Sequence, residues 1–316
     1  MKLLFFGGSG SLGTNFIKRY NDKFDIYVYS RDERKHWLLN LKYKNINFIV
    51  GNINDKEKVN QTLLRYNFDI IILASAMKHV DRCEYESNES INTNILGTQT
   101  VLNSIENNLT IMTNLKKVIF ISTDKACNPI NVYGMCKAVS EKLMIEKSKF
   151  IKTVDFIIIR YGNVLNSNGS IIPILKSMGE DKNCDNFFLT DDLMTRFVMT
   201  LDQSVDLIIY SLDNAENGDI VLPKLISCNI KDLIEIFSEK YNKPIIKTKI
   251  RPGEKINEIL INETETSRMI INKDHKHIKP YYKNFLIEPE KKEYKSNDNI
   301  LSKKELNNYL TKLNII

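Results

Sequence analysis

Short apolar runs recur along the first half of the chain: Leu3–Phe6, Ile26–Tyr29, Ile46–Val50, Ile70–Ala74, Val118–Ile121 and Phe156–Ile159. They are rich in Ile, Val, Phe and Tyr and mostly lack polar alternation, the pattern of strands covered on both faces. Between them, Leu12–Tyr20, Lys56–Tyr66, Ser90–Glu106 and Tyr133–Lys149 carry apolar residues at helical spacing. This alternation predicts a parallel sheet with helices on both faces.

After Arg160 the pattern changes. Gly, Asn and Pro punctuate Gly162–Pro173, and a helical stretch at Leu201–Leu212 precedes a short run at Ile220–Leu222. The reading is an α/β chain with two lobes. Residues 1–163 form the larger lobe, with 201–223 returning to it. Residues 164–200 and 224–285 form a smaller α/β lobe, and 286–316 a charged tail with a helix near Ser302–Leu313. A length of 316 residues suits two lobes sharing a cleft better than one core.

The formal charge of +6 is spread along the chain, which argues against a nucleic-acid partner. Five cysteines without paired spacing read as free thiols in a reducing compartment, and no zinc or other metal site is expected. His275 and His277 read as a solvated charged loop. The run at Leu3–Phe6 stops at Gly7, too short for a signal core, and no stretch has the length to cross a bilayer. The expectation is a cytoplasmic protein with no membrane partner.

Gly7, Gly10 and Gly13 lie between the first strand and the first helix, where a Rossmann-type sheet receives a dinucleotide pyrophosphate on main-chain N–H groups and the helix N-terminus. At the end of the second strand, Ser30 and Arg31 replace the acidic residue that favours NAD. They suit a 2′-phosphate, so NADP is preferred over NAD. Asp32 and Glu33 are expected to lie past the contact point. Asn52 is placed against the adenine, or else with Asp55 at the cap of the next helix.

Tyr133 and Lys137 form Y-x-x-x-K at the start of a helix, on one face. A nearby ammonium lowers a tyrosine pKa from about 10, giving a base for a hydroxyl proton when hydride leaves the same carbon. Ser122-Thr123-Asp124-Lys125 ends the fifth strand, on the edge where such sheets bind ligands.

With these motifs the chain resembles the inverting UDP-N-acetylglucosamine 4,6-dehydratases of the extended short-chain dehydrogenase/reductase family over nearly its whole length. Further segments carrying the resemblance are Ser75–Val80, Asn92–Asn94, Asn128-Pro129, Arg160–Val164, Met194–Phe197 and Arg251–Lys255. It implies an NADP-binding Rossmann domain whose cofactor contacts are Gly7, Gly10, Ser11, Leu12, Gly13, Ser30, Arg31, Asn52, Ile53, Ala74, Ala76 and Lys78, with Tyr133 and Lys137. The implied partner is UDP-N-acetylglucosamine. Its contacts are Lys78, Thr93, Asn94, Asn163, the Asn168-Gly169-Ser170 turn, Arg196, Arg251 and Glu254, where Glu254 has the alternative role of holding Arg251.

The resemblance also implies roles. Thr123 binds the sugar 4-hydroxyl and Tyr133 takes its proton. Lys125 removes the C5 proton and Asp124 protonates the departing C6 hydroxyl. The product is a UDP-4-keto-6-deoxy-L-hexosamine for rare amino-sugar and polysaccharide synthesis. A basic Lys125 requires a pKa well below about 10.4, which burial and neighbouring cations are expected to provide. Its alternative is a salt bridge with Asp124. The competing functions are a 4-epimerase or reductase on the same fold, which has no use for Asp124-Lys125, and a non-catalytic NADP sensor. Pairing of the Ser90–Glu106 and Tyr133–Lys149 helices across a two-fold axis implies a homodimer or larger homo-oligomer.

Overall fold

The computed structural model describes residues 1–283 and 292–316. The larger lobe begins with β1 (Lys2–Phe6), α1 (Ser11–Tyr20), β2 (Asp25–Ser30), α2 (Glu33–Lys42), β3 (Asn47–Val50), α3 (Lys56–Tyr66) and β4 (Ile70–Leu73). It continues through α4 (Val80–Tyr85), α5 (Ser87–Ile91), a π-turn (Asn92–Leu96), α6 (Gly97–Asn107), β5 (Lys117–Ile121), a 3₁₀ turn (Asp124–Ala126), α7 (Val132–Phe150) and β6 (Asp155–Ile159).

The chain then builds β7 (Asn163–Val164), α8 (Ile171–Glu180), β8 (Phe187–Leu189), β9 (Thr195–Met199), α9 (Leu201–Asn214), β10 (Ile220–Pro223), β11 (Ile226–Asn229), α10 (Ile230–Tyr241) and β12 (Ile245–Lys247). The last elements are β13 (Ile259–Ile261), α11 (Glu263–Thr266), β14 (Met269–Asn272), β15 (His275–Ile278), β16 (Tyr294–Lys295) and α12 (Lys303–Lys312).

The large sheet has the order β14-β15-β10-β6-β5-β4-β1-β2-β3. From β3 to β10 its strands are parallel, and β15 and β14 add antiparallel. Successive residues of each central strand feed opposite cores. Leu3, Phe5, Ile70, Ile72, Ile119 and Ile121 pack with Phe16 and Val205 on one face. Leu4, Phe6, Ile71, Leu73, Val118 and Phe120 pack with Val59, Leu102 and Met144 on the other. Two-sided burial explains why these runs lack polar alternation. The winding reverses between β1 and β4, opening the crevice in which such sheets bind ligands.

The smaller lobe has its own core, in which Ile172, Leu175, Phe187, Leu233, Phe237, Leu306 and Leu310 are buried. It carries the β11-β9-β7 sheet and the pairs β12-β8 and β13-β16.

Three expectations are corrected. His275 and His277 do not form a solvated loop. They sit on β15, where buried His277 bonds Asp219 at 3.0 Å and Tyr210 at 2.9 Å, and His275 stacks on the Tyr210 ring at 3.6 Å. With β14, this segment belongs to the large sheet, although the sequence division put 224–285 in the smaller lobe. The helix read as one piece over Ser90–Glu106 is α5, a π-turn and α6, with Gly97 pressed against Ile53 where a Cβ would meet Cγ2 at 2.5 Å. The boundary placed between residues 285 and 286 lies outside the described residues.

Candidate active site

A cavity of about 730 Å³ opens at the carboxyl ends of the central strands. Gly7 leaves β1 at φ +80°, and a Cβ there would lie 2.7 Å from the Ser75 nitrogen, so only glycine lets the turn pass this close to the end of β4. Gly7, Gly10, Ser11 and Leu12 line the cavity. Gly13 does not. It acts beneath the turn, where a Cβ would meet the Gly8 carbonyl oxygen at 2.2 Å. The cradle and the bare start of α1 therefore fit a dinucleotide pyrophosphate.

At the β2 end, Ser30, Arg31, Lys35 and Asn52 line the cavity. Ser30 Oγ lies 2.8 Å from Ser9 Oγ and 2.6 Å from Nε2 of the buried His36. Asp32 also lines this end, but its carboxylate caps α2 through the Lys35 amide at 3.0 Å and pairs with the Lys35 ammonium at 3.0 Å. Asp55, not Asn52, caps α3, accepting from the Lys58 amide at 3.0 Å. Ile53, Ala74, Ala76 and Lys78 complete this wall. Lys78 donates to the Asn168 carbonyl at 2.6 Å and ties the β4 loop to the Asn168-Gly169-Ser170 turn, which also lines the cavity. Burial lowers the Lys78 pKa.

Thr123, Lys125, Tyr133, Lys137 and Asn163 converge on the same cavity. β5 ends in the 3₁₀ turn that carries Asp124 and Lys125, and Asn131 caps α7 through the Gly134 amide at 2.7 Å, which places Tyr133 in its first turn. Gly134 packs so tightly on the Lys125 carbonyl that a Cβ would approach to 2.2 Å. The strand-end turn and the Y-x-x-x-K helix are thus one rigid unit.

The Lys137 ammonium donates to the Ile121 carbonyl at 2.7 Å and sits 4.3 Å from the Phe120 ring centroid. Burial lowers its pKa to about 8, against the pull of Glu141. Burial, with Asp124 adding to it, raises the Tyr133 pKa, and a hydrogen bond with Thr123 only partly opposes the rise. This corrects the expectation that the lysine lowers the phenol, because Lys137 is spent on the Ile121 carbonyl.

Asp124 is fully buried and does not line the cavity. Its Oδ1 accepts from Thr123 Oγ1 at 2.9 Å and from Lys125 Nζ at 3.0 Å, while Oδ2 accepts no hydrogen bond among the described residues. Lys125 also donates to Asn163 Oδ1 at 3.2 Å and lies 3.4 Å from Glu258. Burial disfavours its charge, yet Asp124 and Glu258 outweigh burial and the Arg196 cation, and the Lys125 pKa is raised. The expected depression is corrected: two carboxylates surround the amine, and it forms the salt bridge named as its alternative.

Four expected substrate residues lie elsewhere. Asn94 is buried and bonds both the amide and the carbonyl of Met77, at 2.9 Å each, so it shapes the loop behind Lys78. Arg196 is buried and donates to the carbonyls of Thr195 and Ile256 at 2.7 and 3.2 Å. Arg251 and Glu254 are outside the cavity and pair with each other at 3.2 Å. Thr93 does line the cavity. Among the site groups that escaped the sequence reading are Tyr161 and Lys35, which line the cavity, and Glu258, behind Lys125. Glu258 follows the Arg251–Lys255 segment by three positions, but only the fold brings it to the β5 turn.

Comparison with known proteins places this geometry among nucleotide-sugar enzymes. Residues 3–280 match the family described as polysaccharide biosynthesis protein. The chain is 34% identical over 271 residues to the UDP-N-acetylglucosamine 4,6-dehydratase (inverting) of Campylobacter jejuni, covering 84% of this chain and 78% of that protein. It is 34% identical over 309 residues to the UDP-glucose 4-epimerase of Rickettsia rickettsii, covering 92% and 87%. The X-ray structure of Pen from Bacillus thuringiensis superposes with a TM-score of 0.90 at 30% identity, over 100% of this chain and 98% of that one.

Proposed function

This chain belongs to the polysaccharide biosynthesis protein family, and from that premise we propose that it is an extended short-chain dehydrogenase/reductase acting on UDP-N-acetylglucosamine as an NADP-dependent 4,6-dehydratase that inverts C5. The observation that carries this reading is the Asp124–Lys125 pair, 3.0 Å apart, at a cavity that also holds Thr123, Tyr133 and Lys137. An epimerase has no elimination for such a pair to serve.

Ser30, Arg31 and Lys35 give the β2 end a hydroxyl and two cations, and Asp32 is engaged in capping, which supports NADP over NAD. A bound nicotinamide supplies the acceptor and donor for hydride at the sugar carbons. The chain's own groups move the protons. Thr123 holds the 4-hydroxyl, and Tyr133 takes its proton. Lys125 is an ammonium in the resting pair and Asp124 a carboxylate, whereas elimination needs an amine and an acid. One proton passing from Lys125 to Asp124 across their 3.0 Å contact creates both. The amine then removes the C5 proton. Asp124, set behind Thr123, gives its proton to the departing C6 oxygen along the Thr123 hydroxyl that already bonds it. The ion pair is restored as water leaves.

In this reading residues 1–163 and 201–223 hold the dinucleotide, and 164–200 with the non-sheet part of 224–283 form the lobe that closes the sugar side. Among the described residues, no helix is long and apolar enough to cross a membrane. Free thiols at Cys83, Cys127, Cys136, Cys184 and Cys228 support a cytoplasmic setting. Exposed Ile91, Leu96, Met135 and Val139 on neighbouring helical segments support pairing of two copies, which sedimentation would test by yielding a dimer or larger species rather than a monomer.

The deciding experiment is incubation with UDP-N-acetylglucosamine and NADP in deuterated water. A product lighter by one water, with deuterium and inverted configuration at C5, is expected. A product of unchanged mass would instead assign the 4-epimerase activity that the Rickettsia relative is named for. Bound cofactor with no product would leave a sensor.

A further inference from the structure

Glu258 is 2% exposed and lies just before β13, on the opposite lobe from the β5 turn. A buried carboxylate is unfavourable unless cations and donors surround it. Here its Oε1 is 3.4 Å from Lys125 Nζ and 3.9 Å from Arg196 Nε, and its Oε2 is 3.8 Å from Lys255 Nζ. That second oxygen accepts no hydrogen bond among the described residues. The Glu258 backbone is clamped on both sides by Ser296: the Glu258 amide donates to Ser296 Oγ at 2.9 Å, and the Ser296 amide donates to the Glu258 carbonyl at 2.9 Å. Ser296 Oγ in turn lies 2.6 Å from Thr195 Oγ1. The segment carrying β16 therefore buttresses a carboxylate aimed at an amine on the cavity wall.

We propose that Glu258 is the positioning residue for Lys125, holding the amine in place from the side away from Asp124 and stabilising the ammonium that forms as Lys125 removes a proton from the substrate. This rests on the dehydratase reading for its purpose, but not for the contact itself. Charge appears on Nζ as the carbon–hydrogen bond breaks, and a fixed carboxylate beside it stabilises that developing charge without reorganising. Asp124 cannot serve this end, because it holds the proton for the leaving oxygen at that moment. Arg196, buried against Glu258 and not part of the cavity lining, is the counter-charge on one carboxylate oxygen, with Lys255 on the other. The charged groups around the amine are thus Asp124 on its own turn, Glu258 before β13 and Arg196 on β9, with neutral Asn163 on β7 and the Tyr133 phenol of α7 near Asp124.

The test measures the titration of Lys125 itself, by competitive labelling with acetic anhydride across pH and peptide mass spectrometry, on the whole protein with NADP bound. Glu258→Gln is expected to move the Lys125 midpoint to lower pH by about one unit or more, since a negative charge at this range is lost. Glu258→Asp, with the carboxylate drawn back, is expected to move it in the same direction by less, and it serves if the glutamine variant does not fold. A midpoint unchanged in the folded variants overturns the assignment. The acidic limb of the pH profile for water loss should move with the midpoint. A shifted midpoint in a protein that removes no water from UDP-N-acetylglucosamine would leave the Glu258–Lys125 relationship standing and overturn the dehydratase reading instead.

Discussion

Lys125 Nζ, on the cavity wall, meets Asp124 Oδ1, buried behind it, at 3.0 Å as an ion pair, the reverse of the protonation that the proposed elimination requires. Both groups are therefore needed, and neither substitutes for the other. Lys125→Ala and Asp124→Asn are each expected to lower water loss by about 10²- to 10⁴-fold. Early oxidation at C4 should persist in both, because Tyr133 and Lys137 are untouched. Mass spectrometry of the product, beside nicotinamide absorbance under single-turnover conditions, separates the two steps. Water loss at the wild-type rate in Lys125→Ala would show that another group is the base.

Lys137 makes a pH-dependent stability prediction. Its pKa falls to about 8 in the folded chain, from an unfolded value near 10.5. Between these values the unfolded chain binds more protons, so stability attributable to this group rises with pH. Below about 8 the full cost of a buried charge is present. Lys137→Met removes that cost and also leaves the Ile121 carbonyl without its donor. Relative to the variant, the cofactor-free wild type should gain about 2 kcal/mol of stability between pH 7 and pH 9.5. Urea unfolding at the two pH values checks this, and a gap that stays constant would place the Lys137 pKa outside that window.

Arg160 directly follows β6, and its surroundings give it a structural role. The guanidinium reaches Glu141 Oε2 at 2.5 Å and Glu265 Oε2 at 2.9 Å, and Ser122 Oγ donates to Glu141 Oε1 at 2.5 Å. One buried cation thus joins α7, α11 and the start of the Ser122–Lys125 segment. Arg160→Met strands two buried carboxylates and should cost about 3–5 kcal/mol in chemical denaturation. Arg160→Lys keeps the charge but not the planar fork, and should recover only part of that loss.

The central strands were legible because consecutive residues such as Leu3, Leu4, Phe5 and Phe6 feed two cores, which leaves a continuous apolar run in the sequence. β15 was not legible. Its His-Lys-His-Ile reads as polar, and His277 is buried only because Asp219 and Tyr210, far away in the chain, satisfy its ring. The same limit governs the site. Short motifs located the glycine turn, Thr123, Lys125, Tyr133 and Lys137, since the spacing within a turn or helix fixes their neighbours. The resemblance and their charge put Arg196 and Arg251 on the substrate, yet one guanidinium turns toward backbone carbonyls and Glu258, and the other toward Glu254. Glu258 depends wholly on long-range folding and had no local signature.

In the NADP reading, cofactor choice rests on Arg31 and Ser30. The Arg31 side chain is 63% exposed and, among the described residues, its ion pairing is a 3.7 Å contact with Glu89, so it is free to turn onto a 2′-phosphate. Ser30 is held between Ser9 and His36. A charge-assisted hydrogen bond to a phosphate contributes about 1.5–3 kcal/mol, so Arg31→Ala should weaken NADP by roughly 10- to 100-fold. NAD lacks that phosphate, and its affinity should change little. Titration of the purified protein with each dinucleotide, followed by calorimetry, gives both constants without turnover. Equal losses for the two would mean that Arg31 shapes the pocket rather than reading the phosphate. Ser30→Asp adds a carboxylate where the phosphate would lie, and is expected to invert the preference toward NAD.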